Sequence, residues 1–468
     1  MNIRFLGADR QVTGSRHLLR TGRATVLVDC GLFQERPYLA RNWEAFPVPP
    51  REIDYVLLTH AHLDHCGAIP RLVKEGFRGA VLATAPTLDL ARIVILDSAH
   101  IMEEDAAFKK RRHAEEGRVG PHPEVPLYTV EDARRSFARF KPVSYLDPLV
   151  LEDGATVRFH DAGHILGSSM ISVETSGPTG GCRKLVFSGD VGQWNRPLIH
   201  DPSVFDAADY VIMESTYGDR NHEAPRPVDD LLAGVISETA ARGGNVVVPV
   251  FALERAQELL YYIGGLVRAG RIPRLPVYLD SPMAVEVTGV FARYPQDLDP
   301  EAAQLVAGGG PPFDFPGLRL VTKIEESKAI NLTPGPCIIL AGSGMCTGGR
   351  IKHHLAANLS RPECTVLFVG YQARDTLGRQ ILDEGRTAVR IHGQILPVRA
   401  RIARINGFSG HAGRDDLLRW LDAFRQAPRR LFLVHGDEDA ALGLAEFLGR
   451  EKSWPITVPR YLETFDLD

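Results

Sequence analysis

The chain has 468 residues, 44% apolar and 24% charged, with a net charge of only −4; two or more domains are expected, and whole-molecule attraction to nucleic acid is excluded in favour of a local basic patch. Six cysteines (Cys30, Cys66, Cys182, Cys337, Cys346, Cys364) form no C-x-x-C pair, so a disulfide framework is excluded and reduced, scattered thiols are expected. No signal-peptide pattern precedes the first strand and no apolar run reaches bilayer length, so a cytoplasmic protein without a membrane partner is expected.

Three short strands are predicted at Ile3–Leu6, His17–Arg20 and Thr25–Val28, punctuated by turns at Gly7, Thr13-Gly14-Ser15 and Thr21-Gly22. The third ends at Asp29, an acidic residue on a strand tip that suits either a turn cap or the orientation of a metal-ligating histidine. The apolar run Tyr55-Val56-Leu57-Leu58 follows as a buried strand and hands over to Thr59-His60-Ala61-His62-Leu63-Asp64-His65. In extended backbone His60 and His62 lie on one side, and Asp64 and His65 open a helix. Three histidines and an aspartate within six residues are more than one tetrahedral zinc takes from so short a segment. A catalytic metal is therefore the leading expectation, ahead of a chance cluster of surface histidines.

A strand at Ala80–Ala83 and a long helix from Pro86 to about Arg112 come next, then a Gly/Pro-rich loop over 113–127 and a short helix over Val130–Phe140. The basic run Lys109-Lys110-Arg111-Arg112 reads as a solvated helix face rather than a phosphate contact. Further strands end in polar, metal-competent residues: His164 after Val157–Ala162, Asp190 after Lys184–Ser188, and Glu214 after Tyr210–Met213. From about 220 to 390, strands (Asn245–Pro249, Pro276–Leu279, Cys337–Ala341, Thr365–Val369) alternate with helices (Leu253–Val267, Ala284–Arg293). That alternation predicts a parallel α/β domain, with 294–317 as a surface loop. The last part, from about 391, gives a strand at Arg401–Ile405, the segment Gly407-Phe408-Ser409-Gly410-His411, a helix Arg414–Phe424, a strand ending at His435 and a terminal helix near Ala440–Arg450. Chemistry of the first part reappears there, so one metal domain interrupted by an insertion is the simplest architecture.

Taken together, these motifs resemble the metallo-β-lactamase fold in its β-CASP branch of nucleic-acid nucleases, over nearly the whole chain. The resemblance rests on H-x-H-x-D-H at His60, His62, Asp64 and His65, on His164 and Asp190 downstream, and on Glu214, His411 within Phe408-Ser409-Gly410-His411-Ala412, and His435 within Val434-His435-Gly436. It implies an αββα sandwich over 1–215 and 391–468 interrupted by a parallel α/β insert over 216–390. It implies two zinc ions, one held by His60, His62 and His164, the other by Asp64, His65 and His435, with Asp190 bridging. Asp64, Glu214 and His411 are then the catalytic residues, with His411 as general acid and Glu214 as its partner. Histidine at position 435 is the form seen in RNA-processing members of the branch. The implied activity is zinc-dependent hydrolysis of RNA phosphodiester bonds, internally or from the 5′ end, on single-stranded substrate and as a possible homodimer. Two departures stand out: Gly413 where the family has Asp, and Asp375 where Gly is common.

The Gly-rich stretch Gly342–Arg350, followed by Lys352, His353 and His354, reads as a phosphate cradle, with Ser343, Gly344, Thr347, Gly348, Arg350 and Lys352 as contacts and Ser281 and Arg379 added. Two other readings compete: a dinuclear zinc hydrolase of small esters or thioesters, and a non-catalytic RNA-binding subunit. The large insert argues against the first, and the full ligand set argues against the second.

Overall fold

The computed structural model describes residues 1–468 apart from 23, 121, 153, 177–180, 223–227, 308–312, 334 and 384. The chain divides into two units, Met1–Asn221 with Gly410–Asp468, and His222–Ser409.

The first unit is built on two seven-stranded sheets. One runs in the order Thr464–Asp466, Asn2–Phe5, His17–Arg20, Thr25–Val28, Tyr55–Leu57, Ala80–Thr84, Phe140–Val143. The other runs Ile456–Thr457, Arg430–Val434, Tyr210–Glu214, Cys182–Phe187, Ser169–Ser176, Thr156–Asp161, Leu149–Val150. Inward residues of both sheets, including Ile3, Val26 and Val28 with Phe159, Phe187 and Phe432, share one buried core. Behind the second sheet, Trp420, Leu421, Leu444 and Leu448 of two amphipathic helices pack on Val186, Val211 and Leu433. The long helix Ala85–Glu116 is started by Thr84, whose Oγ1 accepts the Thr87 N–H, and stopped by Gly117 at φ 62°. Its basic run is exposed, and Arg112 pairs with Glu116 one turn on.

The second unit is a six-stranded, all-parallel sheet in the order Leu318–Leu320, Val277–Asp280, Ile338–Ala341, Val246–Pro249, Thr365–Phe368, Arg401–Arg404. Runs such as Val246-Val247-Val248 and Ile338-Ile339-Leu340 are buried throughout, as strands covered on both faces must be.

Several elements differ from expectation, each for a local reason. Arg401–Arg404 pairs in parallel with Thr365–Phe368, so the second unit runs on to Ser409 instead of ending at 390, and it begins at His222 rather than 216. A helix, Pro300–Ala307, occupies part of the expected loop 294–317, because Asp299 caps the Ala302 N–H at 2.8 Å and Pro300 presets the first turn. The helix expected over 130–140 ends at Ser136, followed by a tight turn and the edge strand Phe140–Val143, where Pro142 is tolerated. Residues 121 and 308–312, within the expected loops 113–127 and 294–317, lie outside the described residues.

Candidate active site

Strand ends position the first unit's polar residues. Asp29 follows Thr25–Val28, His60 and His62 follow Tyr55–Leu57, and Asp64 and His65 sit in the short helix Leu63–Cys66. From the other sheet come His164 beyond Thr156–Asp161, Asp190 beyond Cys182–Phe187, Glu214 at the tip of Tyr210–Glu214, and His435 beyond Arg430–Val434. Two glycines make the approach possible. A Cβ on Gly31 would lie 1.5 Å from the Asp64 carbonyl oxygen, and one on Gly192 would lie 1.6 Å from that of Gly163, beside His164. Asp29 and His435 are non-glycine residues in the left-handed region, at φ 61° and 50°. That conformation costs roughly 1–3 kcal/mol and here aims a side chain at the cluster.

The side chains converge tightly. His62 Nδ1 lies 3.0 Å from His60 Nε2 and 3.3 Å from His164 Nε2, and His65 Nε2 lies 3.0 Å from His435 Nε2. Asp190 stands between them. Its Oδ2 is 3.4 Å from His60 Nε2 and 3.5 Å from His164 Nε2; its Oδ1 is 3.4 Å from His65 Nε2 and 3.6 Å from His435 Nε2. Asp64 Oδ2 is 3.4 Å from His435 Nε2. Two donor sets result, each with its atoms within 4.8 Å of one another: His60, His62, His164 and Asp190, and Asp64, His65 and His435. A third set joins Asp190 to Glu214 and His411, whose Nδ1 is 3.1 Å from Glu214 Oε2 and 3.8 Å from Asp190 Oδ2.

The outward nitrogens of four of these histidines are also held. Asp29 Oδ2 is 2.7 Å from His65 Nδ1, and the Asp29 carboxylate also accepts the Thr59 N–H and hydroxyl. Thr59 Oγ1 meets His60 Nδ1 at 3.1 Å, the Gly410 carbonyl meets His164 Nδ1 at 3.0 Å, and Thr216 Oγ1 meets His435 Nδ1 at 3.1 Å. Such partners fix ring orientation and tautomer, leaving the inward nitrogen as a lone-pair donor. Glu214 Oε1 accepts the Val191 N–H at 2.6 Å and so pins the backbone next to Asp190.

The electrostatics are those of a site built for cations. Burial pushes His62 down to about 4 and drives His60 and His164 well below the usual histidine range, the neutral form that ligates metal. Burial opposes charge on His435 and His65 as well, yet Asp190 and Asp64 push His435 up to about 10, and Asp190 and Asp29 raise His65. Burial likewise disfavours the Asp64 carboxylate, but His435 and His65 hold it below the usual carboxylate range. These carboxylates draw positive charge onto whatever neighbour will carry it. Asp190 Oδ1 is buried without a hydrogen-bond partner, and nitrogen with carboxylate oxygen donors is the set that suits zinc. The residues fit a metal centre.

In the second unit the expected phosphate contacts are arranged differently from the sequence reading. Arg350 is not a loose cation. Its guanidinium donates to Asp280 Oδ1 at 2.6 Å and to the Val321 and Thr322 carbonyls at 3.3 and 2.5 Å. Asp280 also meets His354 Nε2 at 2.6 Å and Ser327 Oγ at 2.5 Å. The Thr347 and Gly348 N–H groups donate to Ser343 Oγ and that of Cys346 to the Ser343 carbonyl, so the loop consumes donors that the cradle reading assigned to phosphate. Ser281 caps the helix Pro282–Arg293, and Arg379 pairs with Asp383 at 3.2 Å. Asp375, where glycine is common, takes φ 65°, which explains that preference. Gly413 caps the helix Arg414–Asp422 through the Asp416 side chain.

Sequence reasoning missed Thr59, Thr216, the Gly410 carbonyl and the Asp280–Arg350–His354 network. Only Thr59, adjacent to His60, carried a local signal.

Three domain families match: a metallo-beta-lactamase superfamily domain over residues 18–179, a Beta-Casp domain over 256–381, and a Zn-dependent metallo-hydrolase RNA specificity domain over 395–459. A ribonuclease of Thermus thermophilus is 41% identical over 96% of this chain and 96% of its own. The transcription termination factor FttA of Methanosarcina mazei is 33% identical over 100% of this chain and 72% of its own, and an RNase J-like protein of Methanocaldococcus jannaschii is 29% identical over 98% and 97%. A crystal structure of a protein of unknown function from Enterococcus faecalis shares the fold, with a TM-score of 0.57 and 12% identity over 100% of this chain and 99% of that one.

Proposed function

This chain belongs to the β-CASP family of metallo-β-lactamase-fold ribonucleases, metal-dependent enzymes of RNA processing, and from that premise we propose that it hydrolyses single-stranded RNA at a two-zinc centre, leaving 5′-phosphate and 3′-hydroxyl ends. His60, His62 and His164 would hold one ion, Asp64, His65 and His435 the other, and Asp190 both. When bound, the ions supply Lewis acidity, neutralising phosphate charge and acidifying water. The observation that carries the reading is Asp190: one buried carboxylate with both oxygens within 3.4–3.6 Å of four imidazole nitrogens.

The remaining chemistry falls to the protein's own groups. His411 is the acid for the leaving 3′-oxygen. Burial opposes its charge, but Glu214 and Asp190 raise its pKa and so favour the protonated ring that an acid needs. With Nδ1 on Glu214, Nε2 is the atom that carries the proton to the departing oxygen. Glu214 keeps its charge because His411 lies against it, despite complete burial.

The test pairs metal analysis with cleavage of end-labelled RNA. Purified protein should carry two zincs per chain, and His411→Ala should retain them while losing about 10²–10⁴-fold in turnover, the range of a general acid. A chain that stays metal-free through reconstitution overturns the centre. Full turnover in metal-loaded His411→Ala removes that residue from the reaction.

A further inference from the structure

The second unit's loop spends the Cys346, Thr347 and Gly348 N–H groups on Ser343, and Arg350 is committed to Asp280, so we ask what else that sheet edge presents to an RNA strand. The all-parallel sheet supplies a place. Val246–Pro249 and Thr365–Phe368 are neighbours, yet the chain leaves them in opposite directions. From the first it runs to Val277–Asp280 on one side, and from the second towards Arg401–Arg404 on the other. A point where strand order reverses opens a crevice outside the carboxyl ends, where ligands of open α/β sheets bind.

Two aromatic rings stand there. Phe251 is the second residue past one strand and Tyr371 the third past the other; they are 40% and 57% exposed. Single exposed apolar residues are ordinary, and Val119 or Leu332 need no explanation. Phe251 differs because it is seated. A Cβ on Gly344 would come within 2.6 Å of its ring, and one on Gly370 within 3.4 Å, so two glycine backbones form its floor. Gln372, itself buried, ties those two backbones together, its Nε2 donating to the Gly344 carbonyl at 2.9 Å and the Gly370 carbonyl at 3.4 Å. Tyr371 follows Gly370 directly. Arg374 is exposed nearby and makes no ion pair among the described residues.

We infer that Phe251 and Tyr371 are a stacking platform for unpaired RNA bases at the switch point of the inserted sheet. An aromatic face stacks on any base, contributes about 1–3 kcal/mol per base and asks for no particular sequence. The glycine floor removes the ring's freedom to collapse onto the protein, so little ordering cost remains when a base arrives. The exposed Arg374, three residues after Tyr371, is the cation for a phosphate beside the stacked bases. The inference rests on RNA being the substrate.

The test uses the full metal-loaded chain and two unpaired oligoribonucleotides of the same length, one with all its bases and one with abasic residues away from the cleaved bond. Phe251→Ala and Tyr371→Ala should each raise KM for the base-bearing RNA about 5- to 100-fold, with kcat and zinc content kept. KM for the abasic RNA should not move. Phe251→Tyr and Tyr371→Phe should restore the wild-type value, because the π-face is what binds. RNA carrying 2-aminopurine should be quenched on binding to the wild type and less so by the alanine variants. Unchanged KM in both alanine variants, or equal rises on both RNAs, overturns the platform. If the wild type cuts neither RNA, it is the ribonuclease reading that fails.

Discussion

The two units place their working residues alike, just beyond the carboxyl ends of strands, and then treat charge in opposite ways. In the unit of residues 1–221 and 410–468, five histidines and two aspartates converge, the outer nitrogens of four of those histidines are already held, and Asp190 Oδ1 is buried without a hydrogen-bond partner. In the unit of residues 222–409, Asp280, a fully buried carboxylate at the sheet edge, is met by Arg350, His354 and Ser327. One edge is electrostatically incomplete and the other closed. A site that takes up cations must keep lone pairs and negative charge uncompensated by protein, whereas a surface that takes up a nucleic-acid strand needs rigid rings for the bases, cations for the phosphates and no exposed carboxylate.

Breaking the closed edge should have the largest effect. Asp280→Ala leaves the partly buried Arg350 without its counter-charge and the buried His354 Nε2 without its partner, and losing one member of a buried pair costs up to about 3–5 kcal/mol. Hydrogen exchange in Val277–Asp280 and Ile338–Ala341 should speed up accordingly, while zinc content stays at the wild-type value. The sign with pH follows from the pKa. Burial alone would raise it, but His354, Ser327 and Arg350 hold it below the unfolded value of 3.8. The contribution is therefore present above that value and lost as pH falls through the lowered pKa, a dependence that Asp280→Ala should lack. Protection unchanged in the variant would make Asp280 an ordinary surface-type carboxylate and dissolve the contrast.

A smaller effect is expected at the open edge. Asp29→Asn keeps the shape but withdraws the charge 2.7 Å from His65 Nδ1. Removing such a partner weakens metal binding or activity about 10–100-fold, read as zinc lost to a competing chelator. Exchange in the second unit should not change. Affinity equal to wild type would leave Asp29 as a turn residue, the alternative its position before Cys30-Gly31 also suits.

What the sequence makes legible follows the same divide. The donors that the structure brings together were visible because ligand types at strand tips are rare and spacing such as His60-x-His62-x-Asp64-His65 has a direct geometric meaning. Their outer partners were not, since a threonine hydroxyl or the Gly410 carbonyl carries no compositional signal. The Asp280–Arg350 pair spans a separation of 70 residues, and a basic residue after a glycine run looks the same whether it faces phosphate or a buried carboxylate. Where the inserted sheet ends is not legible in the sequence, because Arg401–Arg404 resembles any strand and only its pairing with Thr365–Phe368 places it in that sheet. Phe251 and Tyr371 carry no signal in the sequence, because exposure and a glycine floor are properties of the fold.

Ser281 tests the contrast most finely, because either reading of it is chemically sound. Its hydroxyl accepts the Ala284 N–H at 3.3 Å as the cap of Pro282–Arg293, it is 8% exposed, and it lies 3.4 Å from where a Cβ on Gly342 would stand. As a cap, Ser281→Ala should cost about 1 kcal/mol, with Ser281→Thr recovering most of it. KM for RNA should be untouched, because the cap uses only the hydroxyl's lone pair and, on this reading, its O–H donates to no phosphate. A rise in KM without loss of stability would mean that this edge, like the other, keeps polar atoms open for a ligand. The difference between the units would then lie in the sign of charge they accept, not in whether their polar groups are already satisfied.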